Sequence, residues 1–171
     1  MRFALDRLPT PLGDLLIVFD EEERLRALDW EDYEDRMRRL LRLQYRREID
    51  LRPSKAPERI RESLASYFAG DHVALDSIEV EIAGTEFQRK LWSALRSIPS
   101  GQTSTYGALA AKIGLPKAIR AVGAANGANP ISIVLPCHRV IGSDRRLTGY
   151  GGGLDRKRWL LTHEGAAFRG E

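Results

Sequence analysis

Short hydrophobic runs separated by turns occupy the first thirty residues. The runs are rich in leucine, isoleucine, valine and aromatic residues, and proline, glycine or acidic residues bound them, which is typical of strands joined by tight connections. The pattern predicts a small sheet of three strands, at residues 2–8, 15–19 and 25–30. Leucines at helical spacing then predict a helix over residues 32–46, and a second helix runs from Pro57 to a glycine cap at Gly70.

The second half of the chain opens with a strong helix signal. Thr85 and Gln88 have the spacing of a capping box, in which each side chain binds the backbone of the other residue. Apolar residues then recur on one helical face up to Ile98. We therefore predict a helix that begins after Thr85 and ends near Pro99.

Residues 106–125 have the pattern of a helix-turn-helix. Ser104 is the predicted cap of the first helix, a break follows at Gly114, and Pro116 starts the second helix. Helical hairpins also occur in proteins that bind no nucleic acid, so the pattern alone leaves both interpretations open.

Turns and apolar segments alternate from residue 126 onward. The predicted features, in chain order, are a turn-rich link, a buried strand at 131–135, the segment Pro–Cys–His–Arg–Val at 136–140, a hairpin turn at 142–144, a glycine-rich loop at 148–153 and a helix at 154–163, with Glu164 in its last turn and Gly165 as its cap. The whole pattern predicts an α/β (α+β) fold, with a small N-terminal sheet and helices followed by a mainly helical part. We place the boundary after Gly84, which gives an N-terminal scaffold domain (1–84) and a second domain (85–171).

Charge divides the chain at the same point. Residues 1–84 contain 14 basic and 19 acidic residues, a net charge of −5, whereas residues 85–171 contain 13 basic and 5 acidic residues, a net charge of +8. Chance clustering on a solvated surface explains some asymmetries of this kind. The alternative interpretation is that the second domain binds a polyanion.

Composition excludes several classes of protein. The chain has 171 residues, of which 43% are hydrophobic and 30% charged, so it is neither disordered nor fibrous. No apolar run is long enough to span a bilayer, and the first residues lack the apolar segment of a signal peptide, so we expect a cytoplasmic protein. The single cysteine, Cys137, excludes an internal disulfide and a multi-thiolate metal site.

Cys137 is the strongest candidate for chemistry. It follows Pro136 at the end of the apolar run, and His138 and Arg139 come directly after it. A thiol becomes a nucleophile when a base or positive charge lies near it, and a glycine-rich loop around Tyr150 is suited to covering a flat ligand. A lone cysteine is otherwise a small buried hydrophobe, and a thiol hydrolase would also use a cysteine and a histidine.

Together, these motifs resemble those of the methylated-DNA–protein-cysteine methyltransferases, also called O6-alkylguanine-DNA alkyltransferases. The resemblance covers residues 87–165 and is looser in the N-terminal half, whose length suits the stand-alone bacterial form. The matching segments are Tyr106, Ala118–Gly123, Asn129-Pro130, Pro136–Val140, Gly149–Leu154 and Trp159–Gly165. The resemblance implies direct repair of O6-alkylguanine, an RNase H-like N-terminal domain, and no cofactor or metal.

The resemblance also implies the catalytic roles. Cys137 accepts the alkyl group irreversibly, His138 takes the thiol proton through a water, and Glu164 orients and charge-balances the histidine. Asn129 ties the helix-turn-helix to the active-site turn by side-chain hydrogen bonds. Tyr106 donates to the guanine ring and crowds the backbone phosphate, so that the nucleotide rotates out of the duplex.

The remaining implied contacts are with DNA and with the extruded base. Arg120 fills the vacated position, and the small residues Ala121 and Gly123 let the second helix approach the minor groove. Gln88 and Ser143 lie where the family contacts phosphates, and Tyr150 together with the backbone of Val140 and Gly151 contacts the base. The implied partner is double-stranded DNA bound by a monomer, with no membrane. Cooperative binding and activity on O4-alkylthymine stay open.

One position departs from part of the family, and two rival functions follow from the same motifs. Gly151 stands where some relatives carry a hydroxyl residue, so we expect tolerance of larger O6-alkyl groups. Alkyltransferase-like proteins bind the lesion without repairing it, but they lack the acceptor cysteine that this chain has as Cys137. A transcription regulator would use the helix-turn-helix, but the chain has no effector domain or cysteine cluster to act as a sensor.

Overall fold

A computed structural model describes residues 1–170, and they form two compact units. The first unit is Met1–Gly84 together with Pro130–Val134, and the second is Thr85–Asn129 together with the described chain from Leu135 onward. Residues 130–134 belong to the first unit, whereas the boundary predicted from sequence placed them in the second domain. Backbone hydrogen bonds explain it, because the Leu28 N–H donates to the Pro130 carbonyl and the Ser132 N–H donates to the Leu28 carbonyl.

The first unit is a four-stranded sheet with two α-helices. Its elements are β1 (Arg2–Leu8), β2 (Leu15–Phe19), β3 (Leu25–Trp30), a 3₁₀ turn (Glu31–Tyr33), α1 (Glu34–Tyr45), β4 (Asp50–Pro53) and α2 (Glu58–Phe68). The strand order is β3-β2-β1-β4; β1 runs antiparallel to β2 and parallel to β4, and β2 runs antiparallel to β3. The three predicted strands are confirmed with their predicted bounds.

Burial explains why the hydrophobic pattern predicted some elements of the first unit and missed others. All five residues of β2 are buried, and one core cluster joins the sheet to α1. Its buried members are Phe3, Leu16, Val18, Ala27, Met37 and Leu41. Strand β4 was not predicted, since it is short and polar and is recognisable only by its pairing with β1. Pro57 is the N-cap of α2 rather than its first residue, and Gly70, with φ +116°, follows the C-cap Ala69.

The second unit is mainly helical. Its elements are α3 (Glu86–Leu95), β5 (Ser104–Thr105), α4 (Tyr106–Lys112), α5 (Ile119–Gly127), a 3₁₀ turn (Cys137–Arg139), β6 (Val140–Ile141) and α6 (Leu154–His163). The predicted capping box is present, because the Thr85 side chain accepts from the Gln88 N–H and the Gln88 side chain accepts from the Thr85 N–H. The predicted fold class, a small N-terminal sheet followed by a helical part, is confirmed.

The helix-turn-helix has different ends from those predicted. Thr105, not Ser104, caps α4, because its hydroxyl accepts from the Ala108 N–H. Ser104 instead pairs with Val140 in a short parallel ladder. Helix α5 begins at Ile119 rather than at Pro116, because residues 115–118 form a turn closed by the Ala118 N–H and the Leu115 carbonyl.

The predicted strand at 131–135 is wrong. Only Ile131 forms a bridge, with Leu28, and Ile133 has a left-handed φ of +71° that a strand does not allow. The run is apolar because it is buried, and burial does not require a strand. The predicted hairpin turn at 142–144 is a turn closed by the Gly142 N–H and the Arg146 carbonyl, but no antiparallel strand pair flanks it within residues 1–170.

Trp92 connects two helices of the second unit. Its indole is fully buried and its Nε1 donates to the Ala125 carbonyl at 2.8 Å, which joins α3 to α5. We expect Trp92→Phe to lower the free energy of unfolding by about 1–3 kcal/mol, because it removes a buried hydrogen bond and leaves a small void. Urea denaturation measures this loss, and an unchanged transition would contradict the role of the indole N–H.

Candidate active site

The segment around Cys137 forms one wall of a cavity. Residues Cys137–Arg139 make a 3₁₀ turn, and β6 follows it and pairs in parallel with β5. The Cys137 side chain is 6% exposed and lines a cavity of about 350 Å³. The other lining residues are Tyr106, Gly123, Asn126 and Gly127 from α4 and α5, and Gly149, Tyr150 and Gly151 from the glycine-rich loop. A cleft of about 370 Å³ in the first unit has no cysteine, serine or histidine in its lining.

A buried ion-pair network lies directly beside the cysteine in sequence. His138 is fully buried, and its Nε2 lies 2.9 Å from Glu164 Oε2. Arg139 donates to the same carboxylate from Nε at 2.9 Å and from Nη2 at 3.0 Å, and its Nη1 donates to the Ile98 carbonyl. Glu164 is the C-cap of α6, where the helix dipole disfavours a carboxylate, and these contacts stabilise its charge.

The network sets the charges of its members. Burial alone would raise the pKa of Glu164, but the neighbouring His138 and the Arg139 guanidinium together hold it well below its usual range. Arg139 is permanently charged, so it stabilises the ionised form of Glu164 whatever the charge of His138. Burial lowers the pKa of His138 against the opposing effect of Glu164, so the imidazole is neutral at pH 7.

One nitrogen of His138 is left to accept a proton. Because Glu164 accepts from Nε2, the tautomer with the proton on Nε2 is favoured and Nδ1 carries a lone pair. Nδ1 is buried and has no hydrogen-bond partner among residues 1–170. The arrangement therefore contains a neutral base, oriented by a carboxylate, adjacent in the chain to a thiol.

Two asparagine amides bind the backbone that leads to Cys137. The predicted residue Asn129 donates from Nδ2 to the Leu135 carbonyl at 2.7 Å. Asn126, which sequence reasoning missed, donates from Nδ2 to the Cys137 carbonyl at 3.4 Å. Both side chains are buried, so α5 and the link after it are joined to the active-site turn by two buried contacts. The signal for Asn126 is a polar residue in a run of small apolar ones.

Lys157 is a second residue that sequence reasoning missed. It is fully buried, and its Nζ donates to the Val140 carbonyl at 2.6 Å and to the Thr148 carbonyl at 3.1 Å. Burial lowers its pKa to about 8, while the nearby Cys137 opposes the shift. Its signal in the sequence is a lysine that shares a helical face with Leu160, Leu161 and Glu164.

The other predicted contact residues fall into two groups. Tyr106, Gly123, Tyr150 and Gly151 line the cavity, and the Tyr106 hydroxyl lies 2.6 Å from the Thr148 hydroxyl. The remaining residues do not line the cavity. Arg120 and Ala121 are exposed in the first turn of α5, and Ser143 is exposed in the turn after β6. Gln88 is bound in its capping box, and Val140 is buried in β6.

Lys157 clamps the strand after Cys137 to the glycine-rich loop, so its removal should loosen the cavity wall. We expect Lys157→Met to slow alkylation of the Cys137 thiol by iodoacetamide about tenfold, since hydrogen bonds from a charged group to two carbonyls are lost. Lys55→Met, an exposed lysine of the first unit, removes the same charge and should leave the rate unchanged. Equal rates for both variants would contradict this role.

Models of two domains match the chain. A 6-O-methylguanine DNA methyltransferase DNA binding domain matches residues 86–166, and the ribonuclease-like domain of the same family matches residues 6–82. The chain belongs to the 6-O-methylguanine DNA methyltransferase family. The gap between the two matched ranges contains Gly84, where the first unit's main segment ends.

Individual relatives agree with the family match. The chain is 55% identical over 166 residues to a methylated-DNA–protein-cysteine methyltransferase of Salmonella typhimurium, which covers 96% of this chain and 97% of that protein. It is 42% identical over 156 residues to one from Haemophilus influenzae, covering 91% of this chain and 83% of that protein. The crystal structure of Mycobacterium tuberculosis OGT in complex with DNA has a TM-score of 0.78 at 37% identity, covering 96% of this chain and 93% of that one.

Residues 1–170 contain neither a helix suited to crossing a membrane nor a cluster of side chains suited to holding a metal ion. None of the helices in that range combines the length and the apolar character needed to cross a bilayer. Within the same range, no group of three or more histidine, cysteine, aspartate or glutamate side chains is arranged to hold a metal ion.

Proposed function

We propose that the protein repairs DNA by transferring the alkyl group of O6-alkylguanine irreversibly to Cys137. The observation that carries the proposal is the placement of Cys137 in the wall of a 350 Å³ cavity, directly before the buried His138–Glu164–Arg139 network. Family membership and the named relatives support the same reaction. The cavity is of the size that small ligands occupy in proteins.

The proposed transfer is a nucleophilic substitution at the alkyl carbon. Cys137 loses its proton to His138 Nδ1 through a water, and its sulfur forms a bond to the alkyl carbon. The bond between that carbon and O6 breaks, and guanine leaves with the electron pair. Hydrogen bonds from the Tyr106 hydroxyl and the Gly151 N–H stabilise the departing base, which takes up one proton to balance the one lost by the thiol.

Each molecule reacts once. The product is a thioether, which is a poor leaving group, and Cys137 is the single cysteine of the sequence, so no second thiol is present to remove the alkyl group. The protein is thus consumed in proportion to the lesions that it repairs.

The lesion reaches the cavity by leaving the duplex. Arg120 and Ala121 are exposed in the first turn of α5, and Gly123 of the same helix lines the cavity together with Tyr106. The small side chains let α5 enter the minor groove, while Arg120 replaces the extruded base in the stack. Tyr150 and the backbone of Val140 then contact the base, and Gln88 and Ser143 contact phosphates. All four residues lie in the second half of the chain, residues 85–171, whose net charge is +8.

Arg120 should matter for duplex DNA and not for a free base. We expect Arg120→Ala to slow repair of O6-methylguanine in a duplex tenfold or more, because the gap left by the extruded base stays unfilled at a cost of a few kcal/mol. Reaction with free O6-benzylguanine should keep its rate. Arg47→Ala, an exposed arginine of the first unit, is the charge-matched control. Equal losses on the two substrates would count against insertion of Arg120.

A titration tests the proposed function. Increasing amounts of protein are added to a duplex with one O6-methylguanine, and the remaining lesion is quantified after hydrolysis to nucleosides. We expect one lesion to disappear for each protein molecule, with no further turnover. A lesion that is bound but chemically unchanged would overturn the proposal and favour a lesion-binding protein that does not repair.

A further inference from the structure

Thr148 binds the hydroxyl of Tyr106, and the proposed reaction gives Thr148 no role. The two hydroxyl oxygens lie 2.6 Å apart, at the short end of the range for a hydrogen bond between hydroxyls. Tyr106 is the first residue of α4 and lines the cavity, whereas Thr148 begins the glycine-rich loop and does not line the cavity. The Thr148 hydroxyl therefore acts on the cavity through Tyr106.

Two further contacts hold Thr148 in place. Its carbonyl accepts a hydrogen bond from the buried Lys157 Nζ at 3.1 Å. Its methyl group lies against the turn at Gly142, 3.4 Å from the position that a Cβ atom would take there. Because the backbone and the methyl group are both held, the hydroxyl stays beside Tyr106 and restricts the phenol to one place in the cavity wall.

The direction of this hydrogen bond decides what the Tyr106 hydroxyl can do. A hydroxyl donates one hydrogen bond and accepts up to two. If Tyr106 donates to Thr148, its single proton is occupied and does not reach the departing base. If Thr148 donates to Tyr106, the phenol proton is free, and a hydroxyl that accepts a hydrogen bond is itself a stronger donor. The proposed transfer needs the second arrangement, because guanine leaves with an electron pair.

We propose that Thr148 is a positioning residue for alkyl transfer, whose hydroxyl donates to the Tyr106 oxygen and so directs the phenol proton at the departing base. This inference rests on the proposed function. Thr148 touches no reacting atom, and no covalent bond to it forms or breaks. Its contribution therefore depends on the leaving group: it assists the departure of guanine, which accepts from Tyr106, and it does not assist a reagent that loses a halide ion.

A double-mutant cycle tests this coupling. Single-turnover rate constants are measured with excess protein on a duplex that carries O6-methylguanine, for the unchanged chain, Thr148→Val, Tyr106→Phe and the double variant. Valine keeps the shape of threonine and removes the hydroxyl, and phenylalanine keeps the ring of Tyr106. Thr148→Ser retains the hydroxyl, and Thr162→Val, at an exposed position of α6, is the matched control.

We expect Thr148→Val to slow transfer about fivefold, roughly the factor for one neutral hydrogen bond, while Thr148→Ser and Thr162→Val stay within about twofold of the unchanged protein. In the Tyr106→Phe background, Thr148→Val should have no further effect, because the phenol oxygen is already absent. Equal slowing in both backgrounds would show a structural role and overturn the inference. Faster transfer by Thr148→Val would also overturn it, since Thr148 would then be the group that occupies the phenol proton.

Alkylation by iodoacetamide separates this role from an effect on the nucleophile. Iodide departs without accepting a proton, so Thr148→Val should react with this reagent as fast as the unchanged chain. Slowing in this reaction would show that the substitution acts on Cys137 and would contradict the role through Tyr106. If the valine variant does not fold, Thr148→Ala takes its place, because it also removes the hydroxyl.

Other outcomes separate this inference from the proposed function. Methyl transfer with independent effects of the two substitutions overturns the role of Thr148 and leaves the function intact. Absence of transfer by the unchanged protein overturns the proposed function, and the inference with it.

Discussion

Replacing Cys137 with alanine is expected to abolish alkyl transfer while leaving the protein folded and able to bind the lesion. Cys137 is small and only 6% exposed, and its sulfur is the single thiol of the sequence. Alanine removes the nucleophile and leaves the His138–Glu164–Arg139 contacts in place. The expected loss is complete, because no other cavity side chain is a comparable nucleophile for a saturated carbon.

Two measurements separate chemistry from binding in this variant. Gel shifts with a duplex that carries O6-methylguanine should give a dissociation constant within a few-fold of that of the unchanged protein, and nucleoside analysis should find the lesion intact. Repair by Cys137→Ala at any rate above background would show that another residue accepts the alkyl group.

Glu164→Gln is expected to destabilise the second unit strongly. The carboxylate is buried and holds both His138 and Arg139, and its removal leaves the Arg139 cation buried without a counter-charge. Breaking a buried ion pair in this way costs about 3–5 kcal/mol, and the glutamine amide recovers part of it, so we expect a loss of about 3 kcal/mol. Urea denaturation at pH 7 measures the difference.

The pH dependence of this loss has a defined sign. The pKa of Glu164 in the folded protein lies below its unfolded value of about 4.3, so its stabilising contribution is complete above that pH and disappears as the pH falls further. The matched control is Glu58→Gln, which breaks an exposed pair with Lys55 and should cost less than about 1 kcal/mol. Similar losses in the two variants would contradict the account of the buried network.

Hydrophobic patterning predicted the elements that bury a regular face. Strands β1, β2 and β3 have the predicted positions, and the amphipathic helix α3 begins as predicted, since a buried sheet or helix face repeats along the sequence. Helix α3 ends at Leu95 rather than near Pro99. Residues 131–135 were wrongly predicted as a strand, because they are apolar and buried by tertiary packing while Ile133 has a left-handed backbone. Strand β4 had no pattern to detect, because its pairing with β1 is a contact between distant residues.

The sequence indicated the reactive residues and two of the residues that hold them in place, but it did not indicate two others. Cys137 and His138 are adjacent in the chain, and the resemblance brought in Glu164 and Asn129. Lys157 and Asn126 bind backbone carbonyls, and the polar residue that each places among apolar neighbours in the sequence does not say which carbonyl it binds. The pairing of Arg139 with Glu164 likewise depends on the return of α6 to the active-site turn.

The central claim is that Cys137 itself becomes alkylated, and mass spectrometry tests it most directly. The protein is incubated with an excess of duplex that carries O6-methylguanine, its intact mass is recorded, and a protease digest locates the change. We predict that every active molecule gains the mass of one CH₂ unit and that the gain maps to the peptide containing Cys137. Loss of the lesion from the DNA with an unmodified protein, or with the gain on another residue, would contradict the account.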